Sequence, residues 1–427
     1  MIVERILGRL VEALVVEGHL EFELPGGRRF VAGDGGAPRV RARLTDRAAG
    51  RELVLDPELK FGELFMDGRL VVEEGTVYDL LALLLQAHRG DRGKLPGRAL
   101  TRIRRLLRRL TARNPLERSR RNVAHHYDID GRVYDLFLDA DRQYSCAYYE
   151  RPDATLEEAQ LAKKRHVTAK LLVEPGHSVL DIGCGWGGLA LYLAEIAGAG
   201  AVRGVTLSEE QLAVARGRAA DAGLDRVTFA LEDYRRTEGR YDRIVSVGMF
   251  EHVGPAHYEE YFAAAARLLA DDGVMLLHTI GRTGEPDFTN PWMTRYIFPG
   301  GHLPTLSEML PVIERSGLAV TDVEVLRLHY AETLREWRNR FMARREEAKA
   351  LMDERFCRMW ECYLAMSEAA FRFEDVVVFQ IQLAKRNDVV PLTRDHVGER
   401  EARLRAAEAA RQAANDRSAS RRGLAAE

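Results

Sequence analysis

The chain has 427 residues, of which 46% are hydrophobic and 30% charged, and its 63 Lys and Arg residues nearly balance its 65 Asp and Glu residues. This length predicts two or three domains of a globular protein, and the four cysteines, without a CxxC pair or a histidine at zinc-finger spacing, argue against a disulfide framework or a metal site. No apolar run is long enough for a membrane span and charged residues interrupt the first turns of the chain, so we expect no signal peptide and a cytoplasmic protein.

Residues 1–90 alternate between helical and strand-like segments. The apolar residues of VERILGRLVEALV and VYDLLALLLQAH have helical spacing, whereas HLEFELP and GRLVVEEG read as strands. No group of catalytic residues occurs among them. This part of the chain therefore predicts a small α+β accessory domain.

Residues 91–121 predict a basic helical linker. Between residues 92 and 121 there are twelve Lys or Arg and a single acid, Glu117. One narrow apolar stripe runs through them, formed by Ile103, Leu106, Leu107 and Leu110. This pattern is typical of a helix on an anionic membrane surface. A solvated linker helix that packs its stripe on the protein stays open as an alternative, and the lack of interleaved aromatic residues disfavours nucleic-acid binding.

The region 122–395 predicts a catalytic domain. An amphipathic helix, LEEAQLAKKRHVTAKLLV, leads into the apolar strand VLDI, and strands and helices then alternate through GVTLS, VTFALEDY, YDRIVSVGM and GVMLLHTI. This rhythm predicts a Rossmann-like α/β domain with a mostly parallel, doubly wound sheet.

The stretch VLDIGCGWGG is the strand, glycine loop and helix start of a nucleotide-type site. Its three glycines, Gly183, Gly185 and Gly188, also match a dinucleotide-binding pattern, which requires an acid at the tip of the second strand. The second strand, AVRGVTLS, has no such acid. Asp181, directly before the turn, instead suits S-adenosylmethionine, which carries an ammonium, a carboxylate and a sulfonium. NAD and an ordinary glycine-rich turn are the less favoured alternatives.

After Thr283 the alternation gives way to an aromatic loop, GEPDFTNPWMTRYIFPGGHLP, which suggests a lid over an apolar substrate. A helical insertion follows, LREWRNRFMARREEAKALM and FCRMWECYLAMSEAAFRF, before the late strand VVVFQIQLAKR. Residues 396–427 are rich in Ala, Arg and Glu and nearly lack aromatic residues, so we expect a disordered or frayed helical tail.

Five motifs together carry a resemblance. YSCAYY, VLDIGCGWGG, GVTLSEEQ, YDRIVSVGMFEHVG and RYIFPGG closely resemble, in order and spacing, the cyclopropane-fatty-acyl-phospholipid synthases. The resemblance covers roughly residues 120–390, and residues 1–90 resemble the accessory domain of bacterial members. It implies transfer of a methylene group from S-adenosylmethionine across a cis double bond of an unsaturated phospholipid acyl chain, by methylation to a carbocation and bicarbonate-assisted deprotonation.

The resemblance also assigns site residues by their positions in these motifs. The donor would contact the glycine loop and Asp181, and the remaining positions would surround its methionine end, ribose and adenine. The complete set of predicted donor-binding residues is Tyr144, Ser145, Asp181, Gly183, Gly185, Thr206, Leu207, Gln211, Asp233 and Tyr234. Gln211 stands where other methyltransferases use a strand-end acid. A bicarbonate ion would be held by the catalytic positions Cys146, Glu251, His278, Ile280 through its backbone, and Tyr330.

The chemistry gives these residue types a physical reason. An alkene is a poor nucleophile, so the enzyme must align it and exclude water, and the resulting cation is stabilised by aromatic faces that cannot bond to it. Candidates for this lining, with a plain core role as the alternative, are Trp292, Tyr296, Phe298 and Phe250.

Two other functions stay open at this point. One is a fatty-acyl methyltransferase of the same fold that gives a methyl-branched product, and the other is a peripheral lipid-binding protein without turnover. The favoured interpretation is an enzyme that acts at the inner face of an anionic membrane. We expect no nucleic-acid partner, and a homodimer is a possible assembly.

Overall fold

The computed structural model of the chain describes residues 2–86 and 130–424. The basic segment 91–121 lies outside the described residues, so its helix on a membrane surface stays a prediction. Within the two described ranges, no helix combines the length and the apolar character that crossing a membrane would need.

The amino-terminal unit is α+β. Its elements in chain order are α1 (Ile2–Leu14), β1 (His19–Leu24), β2 (Arg28–Ala32), β3 (Arg39–Leu44), α2 (Arg47–Leu55), α3 (Pro57–Met66), β4 (Leu70–Glu74) and α4 (Val77–Gln86). The four strands form one sheet in the order β2-β1-β3-β4. Leu20, Phe22 and Leu24 are buried while the residues between them are partly exposed, the period of a strand with one face on the core.

The second unit is built on a seven-stranded sheet. Its strands are β5 (Ser178–Ile182), β6 (Ala201–Thr206), β7 (Val227–Leu231), β8 (Tyr241–Val247), β9 (Leu269–Arg282), β10 (Ala319–Leu326) and β11 (Val376–Ala384). Their order is β10-β11-β9-β8-β5-β6-β7, in which the five strands from β9 to β7 are parallel. Strand β11 is antiparallel to both of its neighbours, so β10 runs in the same direction as the other five. The predicted mostly parallel sheet is confirmed.

The helices of this unit are α5 (Gly131–Tyr134), α6 (Leu156–Lys170), α7 (Gly188–Glu195), α8 (Glu209–Asp221), α9 (Tyr258–Leu268), α10 (Pro291–Tyr296), α11 (Leu306–Arg315), α12 (His329–Ala343), α13 (Arg345–Leu351), α14 (Glu354–Phe373) and α15 (Asp395–Leu424). Neighbouring strand residues belong to different apolar clusters: Leu180 and Ile182 pack with α9 and α11, while Val179 packs with α7 and α8. The sheet is therefore covered on both faces, as a doubly wound fold requires.

The accessory unit and the helical insertion share one apolar core. Trp337 of α12 and Trp360 of α14 are fully buried in the same cluster as Leu64 and Leu83 of the accessory unit, and α14 packs on both α3 and α4. Large aromatic side chains bury more apolar area than other residues, so these two tryptophans contribute strongly to the stability of the contact between the two units. The two units are thus joined by core packing.

Two of the four aromatic candidates are core residues. The ring of Phe250 stacks on Tyr258 with 4.5 Å between centroids, and Trp292, which is fully buried, donates its indole N–H to the sulfur of Met66 at 3.1 Å. The loop after Thr283 thus packs against the accessory unit through α10.

The other two aromatic candidates are partly buried. The Tyr296 hydroxyl donates to Glu63 of the accessory unit at 2.9 Å, and the Phe298 ring lies 6.1 Å from that of His252. Tyr296 therefore belongs to the contact with the accessory unit.

The carboxyl-terminal segment differs from its prediction. Residues 396–427 are expected to form a disordered or frayed tail, but the structure has α15 over 395–424, packed along α6. Buried Arg165 contacts Glu408 at 2.7 Å, and the two ring nitrogens of His166 lie 2.6 Å from Glu401 and 2.7 Å from Glu324. The helix α15 packs on α6 largely through ion pairs and hydrogen bonds. Its sequence therefore lacks the apolar stripe from which a packed helix is predicted.

Candidate active site

A cavity opens at the carboxyl ends of β5, β6 and β8, where open α/β sheets build their sites. Residues that follow each of these strands line it. All ten positions assigned to the donor are among the lining residues: Tyr144, Ser145, Asp181, Gly183, Gly185, Thr206, Leu207, Gln211, Asp233 and Tyr234. The structure therefore brings the whole predicted donor set to one cavity.

The glycine loop between β5 and α7 needs its glycines for two different reasons. Gly183 and Gly185 have φ of +82° and +54°, in the left-handed region that side chains disfavour. A Cβ atom at Gly183 would lie 2.8 Å from the Cβ of Met249, so packing also excludes a side chain there. A Cβ at Gly185 would meet no atom within 4 Å, because this position faces the cavity.

Asp181 lies beneath this loop and is 2% exposed. Its Oδ2 atom is buried and has no hydrogen-bond partner among the described residues. Burial raises the pKa of the Asp181 carboxyl to about 7, and the nearby Lys163 ammonium opposes this rise. A buried acceptor of this kind is normally satisfied, so an ammonium-bearing ligand such as S-adenosylmethionine fits the cavity.

The cavity lining also carries hydrogen-bonded polar groups at or after the ends of β6 and β7. Thr206 donates its hydroxyl to the Gln211 side-chain oxygen at 3.2 Å. The Asp233 carboxylate accepts two hydrogen bonds from the guanidinium of Arg235, at 2.8 and 2.7 Å. Arg235 also lines the cavity and was not singled out from the sequence, although it stands two residues after Asp233 in the same motif.

Tyr144 is backed by aromatic residues of the helical insertion. Its ring stacks on Trp337 with 5.1 Å between centroids, and its hydroxyl lies 2.8 Å from that of Tyr363. Burial raises the pKa of Tyr144 well above its usual range, so the phenol is neutral. Sequence reasoning missed Trp337 and Tyr363, because no local pattern connects α12 and α14 with the segment around Tyr144.

Two of the catalytic positions touch directly. The Ile280 backbone N–H donates to Oε1 of Glu251 at 2.7 Å, and Oε2 of Glu251 is buried without a hydrogen-bond partner in the described part of the chain. Burial raises the pKa of Glu251 to about 7. A protonated hydroxyl of a small oxyanion such as bicarbonate would fit this buried oxygen.

The three other side chains predicted to be catalytic, those of His278, Cys146 and Tyr330, are buried. His278 Nδ1 accepts a hydrogen bond from the Gln380 amide nitrogen at 3.2 Å, and burial lowers the pKa of His278 to about 3. Cys146 donates its thiol to the Ala147 carbonyl at 3.3 Å, and burial raises its pKa. Tyr330 is buried against the rings of Trp337 and Phe371.

None of the five catalytic positions lines the donor cavity itself. Cys146 instead directly follows Ser145, which does line it. Glu251 likewise directly precedes His252, which lines the cavity, so the predicted catalytic positions adjoin the donor cavity at more than one point.

A protein-family comparison matches this chain to the family described as mycolic acid cyclopropane synthetase, over residues 114–381. The cyclopropane-fatty-acyl-phospholipid synthase of Escherichia coli (strain K12) is 37% identical over 358 residues, which cover 84% of this chain and 91% of that protein. The tuberculostearic acid methyltransferase UfaA1 of Mycobacterium tuberculosis is 36% identical over 397 residues, covering 89% of this chain and 91% of that protein.

Solved structures agree with these relationships. Mycolic acid cyclopropane synthase CmaA1, complexed with SAH and CTAB, is similar to this chain with a TM-score of 0.59 and 35% identity, over 64% of this chain and 99% of that one. Together with the parallel sheet and the glycine-loop cavity, these matches give the fold and the class of reaction. The chain is a class I methyltransferase that depends on S-adenosylmethionine, and it belongs to the mycolic acid cyclopropane synthetase family.

Proposed function

We propose that the protein forms cyclopropane rings on unsaturated phospholipid acyl chains, with a methylene group taken from S-adenosylmethionine. The observation that carries this proposal is the buried contact between Glu251 and Ile280, which leaves one carboxyl oxygen of Glu251 unpartnered. Methylation of an amine or hydroxyl releases a proton from nitrogen or oxygen, which water can accept. Ring formation instead removes a proton from the newly added methyl carbon, at a site that excludes water, so it needs a base held there.

The donor is held by the ten lining positions. When bound, S-adenosylmethionine supplies an electrophilic methyl group. The Asp181 carboxylate stabilises its ammonium, the backbone of Gly183 and Gly185 allows close approach, and Thr206 with Gln211 binds the ribose hydroxyls. Tyr144 and Ser145 fix the methionine end.

The first step forms a carbon–carbon bond. The π electrons of the double bond attack the methyl carbon while its bond to sulfur breaks, which leaves a cation on the acyl chain. The aromatic rings of Tyr144, Trp337 and Tyr363 stabilise this cation without adding to it, and their burial keeps water away.

The second step removes a proton from the added methyl group, and the electron pair of that C–H bond closes the ring. A bicarbonate ion held by Cys146, Glu251, His278, Ile280 and Tyr330 would supply a weak base there. The neutral imidazole of His278 and the Tyr330 phenol hold the ion, while the Glu251 carboxylate accepts its hydroxyl proton. The neutral imidazole and phenol at this position do not repel the cation.

The acyl chain has to be reached from a bilayer. We propose that the basic segment 91–121 attaches the enzyme to the anionic inner face of the membrane, with each engaged basic side chain contributing about 1 kcal/mol. The name of the Escherichia coli relative, a phospholipid synthase, supports this class of substrate.

A methyl-branched product is the second candidate. It is favoured by the similarity to the tuberculostearic acid methyltransferase of Mycobacterium tuberculosis over 89% of this chain. Both products share the donor site and the first step, and they differ only in what happens to the cation.

Lipid analysis of cells that express the protein tests the proposal. A ring adds one CH2 unit to an unsaturated chain and removes its double bond, whereas a saturated methyl branch adds one CH2 unit and two hydrogens. Cells that express the Gly185→Val variant serve as the control. Products that keep a double bond, or that carry the two additional hydrogens, would exclude ring formation, and unmodified lipids would exclude both candidates.

A further inference from the structure

One face of α6 holds the segment that separates the donor cavity from the catalytic residues. The amide nitrogen of Gln160 donates to the carbonyl oxygens of Gln143 and Ser145, at 3.2 and 3.0 Å. One turn further on, the Lys163 ammonium donates to the Ser145 hydroxyl at 2.9 Å and to the Gln143 side chain. These two residues therefore fix the chain just before Cys146.

Lys163 is only 1% exposed, yet it lies at the boundary of both sites. It lines the donor cavity, and its positive charge acts on Asp181 in that cavity and on Cys146 and His278 among the catalytic residues. A buried ammonium is costly unless nearby negative groups compensate it. Its burial at this position therefore requires a reason.

Other charges in the neighbourhood are already paired. Lys170, which also acts on His278, contacts Glu324, and the Asp141 carboxylate is held by Lys164 and Arg218. Lys163 forms no ion pair within 4 Å among the residues that the structure describes. The ammonium is thus available to balance a negative charge that a ligand would bring.

We propose that Lys163 is a positioning residue: bound to Ser145 and Gln143, its ammonium fixes the segment before Cys146 and provides the positive charge that an anion beside Cys146 and His278 requires. This inference rests on the proposed function, because bicarbonate is the anion in question. The catalytic residues around it are otherwise a thiol, a phenol, a neutral imidazole and a carboxyl group, none of which supplies a positive charge.

The surroundings of Lys163 give the inference a pH signature. Burial lowers its pKa to about 8; Lys164 lowers it further, while Asp139, Asp141 and Cys146 oppose the change. Asp139 is itself engaged by the backbone N–H groups of Gln143 and Asp141, and burial raises its pKa. Lys163 is charged below its pKa, so bicarbonate affinity is expected to fall as the pH rises through about 8, a range in which bicarbonate itself stays singly charged.

The test is a calorimetric titration of bicarbonate into protein saturated with S-adenosylhomocysteine, which cannot turn over. Lys163→Gln keeps a hydrogen-bond donor but removes the charge, and about a tenfold loss of bicarbonate affinity is expected. Lys163→Arg keeps the charge at all accessible pH values, so it should retain affinity within about threefold and lose the alkaline fall. Lys164→Gln is the matched control, since it removes the neighbouring positive charge, which is paired with Asp141 and does not line the cavity, and it should leave bicarbonate affinity within about threefold of wild type.

The outcomes separate the inference from the proposed function. Wild-type affinity and an unchanged pH dependence in Lys163→Gln would overturn the role of Lys163 and leave the proposed function standing, as would an equal loss in Lys164→Gln. No bicarbonate binding by the wild-type protein would overturn both. If circular dichroism shows that Lys163→Gln does not fold, the pH dependence of wild-type bicarbonate binding decides, and an affinity that stays constant through pH 8 refutes the inference.

Discussion

Replacing Gly185 by valine tests the donor site, because its effect on donor binding can be distinguished from its effect on the stability of the glycine loop. Gly185 has a φ of +54°, and a Cβ atom there would meet no heavy atom within 4 Å. The valine side chain would therefore cause no clash with the protein and would instead occupy the cavity. Its cost to folding is the left-handed backbone, about 1–2 kcal/mol for a residue with a β-carbon.

Gly223 offers a matched control for this backbone cost. It has a φ of +64°, it follows α8, and a Cβ there also meets no atom within 4 Å. It does not line the cavity. Gly185→Val and Gly223→Val should therefore lower the free energy of unfolding by similar amounts, while only Gly185→Val affects the donor.

Calorimetric titration with S-adenosylmethionine measures the difference. We expect Gly185→Val to bind at least about 100-fold more weakly than wild type, a loss of about 2.7 kcal/mol, and Gly223→Val to bind normally. Wild-type affinity in Gly185→Val would refute the donor site. An equal loss in Gly223→Val would show that backbone strain, transmitted through the fold, explains the effect.

Three further predictions concern the catalytic carboxyl, α15 and the basic segment. Glu251→Gln should lower turnover by about 100-fold and change donor affinity by only a few fold. Wild-type turnover should rise with pH through the Glu251 pKa of about 7, and the variant should lack this rise. If the pH–rate profile of the variant keeps the rise, another group than Glu251 is responsible for it. Burial lowers the pKa of His166, but its hydrogen bonds to Glu324 and Glu401 raise it more, so its contribution to stability is complete below about pH 6.5 and is lost as the pH rises through the raised value. The destabilisation by Glu401→Gln in urea unfolding should accordingly shrink at alkaline pH, and a constant difference would contradict this linkage. Replacing Arg104, Arg105, Arg108 and Arg109 by glutamine should lower the fraction of protein that sediments with anionic vesicles at low salt. An unchanged fraction would mean that the membrane contact lies elsewhere.

The donor cavity was predictable because its residues stand at the ends of successive parallel strands. Asp181 and Thr206 end or nearly end β5 and β6, and the fold brings such ends to one edge of the sheet whatever the rest of the chain does. Asp181 could thus be assigned from its own motif, whereas Thr206 was assigned through the resemblance. Tyr144 and Ser145 precede the sheet and were assigned through the resemblance alone.

The remaining features depend on contacts between distant segments. Lys163 stands in an amphipathic helix where a lysine normally faces solvent, and only the fold of residues 143–146 over α6 buries it. The stacking of Trp337 on Tyr144 likewise joins elements that no periodicity relates. The helix α15 was missed because its partners, Arg165 and His166, are polar, and a pattern of apolar residues does not report ion pairs.

The shared core of the accessory unit and the helical insertion affects how the chain is made. The accessory unit leaves the ribosome first, and α4 ends at Gln86, whereas α12 begins only at His329. At typical rates of synthesis this separates the two halves of the core by on the order of 10–50 s. During that interval the apolar sides of α3 and α4 have no partner from α14, so the nascent chain exposes an aggregation-prone surface. Slower expression at low temperature, or added chaperone capacity, should therefore raise the yield of folded protein.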